Sequence, residues 1–329
     1  MTPYTLRLFK TIQSASLALI LCMGATSLSA QIVPTEPPIS GELEVLHVQG
    51  NVWLIAGVGG NIVVQASEQG VFVVDTGANG FSEEVIAAIA KISDRPIRYL
   101  VNTSIAAQHI GGNAEMAGLT GGSTRGAERG VRINAIAQEN VLFRMSVGRN
   151  SDGERIYPQL AWPTDGYYEP QRGQIFNGEA IDIIHMPNAY SDGDSIVYFR
   201  GSNVLVSGDV FSNTSLPMID YAKGGSFQGV ISALDRMLDI TISDDLAEGG
   251  TYVIPGHGYI SDEADLVEYR DMTYIVRDRL QRLIIEEGLS LEQVKEAQPV
   301  LGWESRYGRP EWTVDMFLEA VYNEFQGKN

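Results

Sequence analysis

The chain has 329 residues, of which 44% are hydrophobic and 19% charged, and its formal net charge is −18. That length and balance suit one large folded domain and exclude a disordered chain. The acidic excess argues against phosphate-bearing partners, so nucleic acid and anionic membrane surfaces are set aside.

At the N-terminus Arg7 and Lys10 precede the apolar run SASLALILCMGATSL, and LSA before Gln31 offers a small-residue cleavage point after Ala30. Residues 1–30 read as a signal peptide, which implies a secreted or periplasmic location; an anchor left uncleaved is the alternative. The run is too short and wrongly flanked to cross a membrane, so no membrane span is expected after cleavage. Cleavage removes two cations and no acid, leaving a charge of −20, and takes with it Cys22, the only cysteine. The mature chain, 31–329, then has no disulfide, thiolate ligand or thiol nucleophile.

After the Pro-rich IVPTEPPIS come four strand-like runs, LEVLHV, NVWLIAG, NIVVQAS and VFVVDTG, parted by glycines and polar residues. SEEVIAAIAKI has helical spacing with Ser82 as its cap, and IRYLVN is the next strand. ENVLFRM reads as helix and YPQLAWPTDGYYEP as a long surface loop. Strands resume at AIDIIHM, SIVYFR and NVLVSGD; a helix (FQGVISALDRML), a strand (TYVIPGHG), a long helix over 263–287 and a final amphipathic helix (TVDMFLEAVYNEF) complete the chain. No repeat or linker divides it. Strand groups each followed by helix predict two sheets packed together and covered by helices, in one domain over 31–329.

Four loops follow strand-like runs and carry the chemistry-bearing side chains: VNTSIAAQHIGGN, PNAYSDGDS, VLVSGDVF and VIPGHG. Their spacing and flanks resemble the metallo-β-lactamase fold, over about residues 43–260. In that family the first loop has the form N-T-H-x-H-x-D-H followed by x-G-G-N. Here the frame and the last histidine, His109, stand. Ser104 and Ala106 occupy the first two histidine places, and Gln108 the aspartate place. Tyr190 stands where the next family histidine would be, whereas the following aspartate, Asp209, and the last histidine, His257, are kept. Asp75, in VFVVDTG, matches the early-strand carboxylate that supports the first metal loop. The resemblance implies a four-layer αββα sandwich.

It also implies that Ser104, Ala106 and Tyr190 remove the imidazole ligands of a first ion. Alanine has no lone pair to donate, a serine hydroxyl is a feeble ligand at neutral pH, and tyrosine would have to ionise. His109, Asp209 and His257 remain as ligands for one zinc, iron or manganese ion, with Gln108 as a weak fourth and Asp75 behind them. The structural alternative needs no metal: His109 capping a helix or bonded to Asp209, Asp209 satisfying loop N–H groups, His257 merely a loop residue. His47 and His185 are read as structural, with His185 near enough to support the site. Met145, Trp162, Tyr167 and Tyr168 are assigned to a core or groove rim.

Two functions follow from the resemblance: a noncatalytic or weakly active relative of metal-dependent hydrolases holding a small molecule in the old cleft, or a single-metal hydrolase of an ester, lactone, thioester or amide. Loss of one electrostatic stabiliser costs about 3–4 kcal/mol of transition-state stabilisation, so useful β-lactam turnover is not expected. The Asp75-Thr76-Gly77 tripeptide also matches the aspartic-protease signature, but that mechanism needs a second such turn, and none exists. No G-x-S-x-G or phosphate-cradling G-x-x-x-x-G-K occurs either.

Overall fold

The strands that flank the four loops assemble into two sheets in the computed structural model, which describes residues 43–118, 132–246, 248–310 and 312–327. The signal peptide assigned to residues 1–30 lies outside the described residues. One sheet runs in sequence order: β1 (Glu44–Gln49), β2 (Val52–Ala56), β3 (Ile62–Ser67), β4 (Gly70–Val74), β5 (Ile97–Val101), β6 (Asn134–Gln138) and β7 (Asp165–Tyr167). Its first four strands are antiparallel neighbours and β4 to β7 are parallel. The second sheet has the order β12 (Tyr252–Pro255), β11 (Val204–Gly208), β10 (Asp194–Phe199), β9 (Glu179–Met186) and β8 (Gln171–Phe176). It is antiparallel except that β11 and β12 run parallel.

The apolar pattern explains the layering. Gly70–Val74 is buried at every position, as expected of a strand covered on both faces. Phe72 and Val74 face Phe199, Val197 and Ile254 of the other sheet. Val71 and Val73 pack outward against Val85, Ala88 and Ile89 of the helix Ser82–Ile92. On the far side, the helices Phe227–Leu238, Glu263–Gln281 and Val314–Phe325 cover Ile184, Ile196, Leu205 and Val253. Three apolar interfaces thus separate four layers, the αββα sandwich expected. No helix among the described residues is long and apolar enough to cross a membrane.

Several local expectations are corrected. Ser82 is the first helical residue and is buried; the capping position is Phe81, which has no side-chain cap bond. The segment read as a surface loop holds a 3-10 turn, Gln159–Ala161, and β7, where Tyr167 is buried and bonds Ser195 Oγ at 2.6 Å. Its neighbour Tyr168 is exposed, Met145 is buried and Trp162 half-buried. The strand Gln171–Phe176 escaped notice because it edges its sheet, and all but Phe176 is exposed or half-exposed, so polar residues interrupt the apolar signal. The long helix is α-helical to Gln281 and continues as a π-helical turn, Arg282–Glu286.

The turns bearing Asp75, His109, Asp209 and His257 leave the C-terminal ends of β4, β5, β11 and β12, which form one parallel pair in each sheet. Parallel strands deliver their loops to one edge, where ligands bind in open α/β sheets. Thr103 O accepts from Ser195 N at 2.8 Å and Gly256 O accepts from Asn61 N at 2.8 Å, tying the two sheets together there.

Candidate metal site

The frame residues of the first loop hold its backbone. Asn102 and Asn113 exchange side-chain amide bonds of 3.1 and 2.8 Å, and Asn102 Nδ2 also donates to His109 O. Thr76 Oγ1 lies within hydrogen-bond distance of His109 O and Asn113 Oδ1 and accepts from Gly112 N. A Cβ on Gly111 would lie 2.2 Å from Asn79 N, so only glycine lets this turn approach the turn after β4. Asn-Thr, Gly-Gly and Asn are therefore there to seat His109, whatever stands at the positions between.

His109 is fully buried, and its Nδ1 lies 2.6 Å from Asp75 Oδ2. Asp75 adopts a left-handed backbone (φ 63°), which a non-glycine residue occupies only at some cost. Thr103 N and Thr103 Oγ1 both donate to its carboxylate, at 2.8 and 2.6 Å, so the strained turn aims a fixed acceptor at the imidazole. His257 is positioned similarly: its Nδ1 lies 3.0 Å from Gly59 O, and Asn61 Nδ2 donates to Pro255 O and Gly258 O on either side. Each histidine thus spends an Nδ1–H on an oxygen, which leaves the lone pair on Nε2.

Those lone pairs converge on Asp209. His109 Nε2 is 3.0 Å and His257 Nε2 3.5 Å from Asp209 Oδ1. One ligand atom from each of the three residues falls within 4.8 Å of the others, a group that could hold a metal ion. His109 Nε2 nevertheless has no hydrogen-bond partner although it is buried; the 3.0 Å approach is misdirected for such a bond. Two lone pairs facing each other at that distance need a cation between them, a proton or a metal ion. The residues fit the metal: two imidazoles and a carboxylate suit one zinc, iron or manganese ion. A Cβ on Gly256 would sit 2.8 Å from Asp209 Oδ1 and 2.9 Å from His109 Cε1, so glycine alone leaves this space open.

Burial by itself would lower the pKa of His109, but the carboxylates of Asp209 and Asp75 outweigh it and hold the imidazole well above its usual range. Burial would raise Asp209; the charge of His109 beside it dominates, with help from that of His257, and brings it to about 2. Burial lowers His257, only partly opposed by Asp209.

The positions without family ligands are filled and ordered. Ser104 is buried, its Oγ accepting from Ala106 N at 3.1 Å, and Ala106 is buried beside it. Gln108 is exposed, its side chain beside Gly59 and Gly60. Tyr190 is half-buried; burial, then the charges of Asp209, Asp220 and Asp194, push its hydroxyl up. Its loop is clamped, with Ser191 N and Oγ both 2.6 Å from the Asp194 carboxylate. His185 instead places Nε2 2.9 Å from Asp192 O, and His47 bonds Gly50 O. Sequence reasoning missed Thr103 and Asn61, which touch the site only through hydrogen bonds and stand in ordinary strand and turn contexts.

The family model of the metallo-beta-lactamase superfamily matches residues 47–257. The chain belongs to that superfamily. It is 23% identical over 307 residues to a linear primary-alkylsulfatase of Pseudomonas sp. (strain ATCC 19151), a match covering 80% of this chain and 56% of that protein. Its fold resembles the stereoselective inverting sec-alkylsulfatase Pisa1 of Pseudomonas sp. (TM-score 0.64, 15% identity, 87% of this chain and 51% of that one). It also resembles a metallo-β-lactamase from Pontibacter korlensis (TM-score 0.54, 15% identity, 71% and 99%). The chain spans about half the length of the alkylsulfatases it matches. The superfamily is one of hydrolases that commonly bind zinc.

Proposed function

We propose that this protein is a secreted, slow, single-metal hydrolase of neutral esters. Its ion is held by His109 Nε2, Asp209 and His257 Nε2, and the position of a second ion is lost to Ser104, Ala106 and Tyr190. The observation that carries the reading is the convergence of the three donors around a buried imidazole nitrogen that has no hydrogen-bond partner. A bound ion of this kind acidifies a water and polarises an acyl oxygen. The chain's own groups orient the site: Asp75 fixes the His109 ring and Gly59 O fixes His257. The anionic ligand damps that acidification, and no second ion stabilises the oxyanion, at a cost of about 3–4 kcal/mol or more in the transition state; slow turnover follows. A chain of net charge −18 favours a neutral substrate over an anionic one.

The test uses the full sequence expressed in a secreting host and loaded with zinc. It is assayed on carboxylic esters and lactones, with alkyl sulfates and β-lactams alongside, with and without chelator. Ester turnover that chelator and His257→Ala both abolish supports the reading, and turnover confined to alkyl sulfates overturns the preference for neutral substrates. A second reading, a noncatalytic binder, is favoured by Ser104, Ala106 and Tyr190 standing where the other family ligands would be. Metal binding with no turnover of any of the four classes would favour it.

A further inference from the structure

The two histidines of the site stand on different sheets, His109 after β5 of the first and His257 after β12 of the second, and they are supported differently. His109 is fully buried, and its Nδ1 partner, Asp75, follows β4 of its own sheet. The His257 side chain is 32% exposed, and its Nδ1 partner, Gly59 O, lies in the turn between β2 and β3 of the opposite sheet. The separation of the two imidazoles therefore depends on how that turn is fastened to the second sheet.

Asn61 makes the fastening. It is 4% exposed, donates its backbone N–H to Gly256 O at 2.8 Å, and donates its side-chain amide to Pro255 O at 2.9 Å and Gly258 O at 3.1 Å. These carbonyls bracket His257 in the chain, so the backbone is held on both sides of it while Nε2 reaches toward Asp209. An amide supplies two N–H donors from one short side chain, which a serine or an aspartate cannot do. The same turn also bears on the segment that carries His109: a Cβ on Gly60 would lie 2.8 Å from Gln108 O, and Val58 O accepts from Ala78 N at 2.9 Å. From the second sheet Asn213 completes the grip, its Nδ2 donating to Tyr259 O at 2.6 Å and Ser261 Oγ at 2.7 Å.

We propose that Asn61 is a positioning residue for the candidate ion: by docking the β2–β3 turn onto the turn after β12, it holds His257 Nε2 at the distance from His109 and Asp209 that one ion requires. This inference rests on the single-metal reading. Asn61 acts through His257, so its removal loosens the ion without altering what His109 and Asp209 offer.

The experiment measures zinc affinity by chelator competition for the full chain, Asn61→Ala, His257→Ala and the double variant. It also counts the imidazoles around zinc by X-ray absorption and records the thermal midpoints of the chelated proteins. Asn61→Ala should weaken zinc binding about 10- to 100-fold and lower the imidazole count from two to one. In the His257→Ala background the same substitution should change affinity by no more than about twofold. A lowered midpoint with affinity and both imidazoles kept would make Asn61 merely structural and overturn the assignment. Equal losses of affinity in the two backgrounds overturn it as well, because the effect would not pass through His257. Should Asn61→Ala fail to fold, Asn61→Ser, which retains one donor, goes through the same cycle and the same outcomes decide. If the parent binds no zinc, the single-metal reading falls and this inference with it; if the parent binds one zinc and the Asn61 variant binds it equally well, only the inference falls.

Discussion

The loop after β5 and the loop between β9 and β10 are built with equal care and present different chemistry. In the first, Asn102, Thr76, Gly111 and Asn113 lock the backbone, and a histidine nitrogen is left open toward Asp209. In the second, the Ser191–Asp194 clamp locks the backbone as firmly, yet the residue presented is a tyrosine. Hydrogen bonds to main-chain groups do not register what a side chain offers to the cleft. In the second loop the side chain at the family-ligand position differs while the backbone clamp stands.

The sharpest way to break that contrast is His109→Ala. It strands Asp75 and Asp209 in the interior without their partner, a loss on the order of 3–5 kcal/mol, readable by denaturant titration. A change below about 1 kcal/mol would mean the buried carboxylates are satisfied without the imidazole. Gly256→Ala follows, since its methyl must push against Asp209 and His109. It should cost about 1–3 kcal/mol and expel the metal, and wild-type zinc affinity in this variant would contradict the geometry. Asp75→Asn keeps the shape but weakens the support behind His109, and zinc affinity measured by chelator competition should fall about 10- to 100-fold.

Restoring the family ligands tests the other loop. Ser104→His, Ala106→His, Gln108→Asp and Tyr190→His together should raise the zinc content from one ion to two. An unchanged content would mean the frame no longer presents these positions to the cleft.

The smallest expected effect is on pH. The Asp209 pKa is lowered, so its contribution is full above about pH 4 and fades as pH falls through about 2. That of His109 is raised, so in metal-free protein its contribution is full below the usual imidazole value and fades as pH rises through the folded value. Denaturation of the chelated protein across pH should lose stability at both ends, and zinc affinity should rise with pH as the ion displaces the proton.

The same distinction decides what could be read from the sequence. The strands buried along their whole length, Gly70–Val74 and Val204–Gly208, announce themselves by the consecutive apolar residues Val71–Val74 and Val204–Val206. The frame residues are legible because glycine and asparagine carry backbone requirements that tolerate no substitute. His109, Asp209 and His257 were found through that frame. Gln171–Phe176 and Asp165–Tyr167 were not found, because an edge strand and a three-residue strand bury too little to leave a pattern. Thr103 and Asn61 act through pairs of hydrogen bonds to partners 28 and 194 to 197 residues away, and no local spacing encodes such contacts. Ser82 is not the cap because the helix begins at it, with Phe81 in the capping position.

The central claim is that one cation, and not two, sits among these three side chains. Crystals of the zinc-loaded protein, with anomalous maps on either side of the zinc edge, address it directly. The account predicts a single peak within bonding distance of His109 Nε2, Asp209 and His257 Nε2, with no peak beside Ser104, Ala106 and Tyr190. A featureless cleft, with a proton shared between His109 and Asp209 in place of the metal, would contradict it.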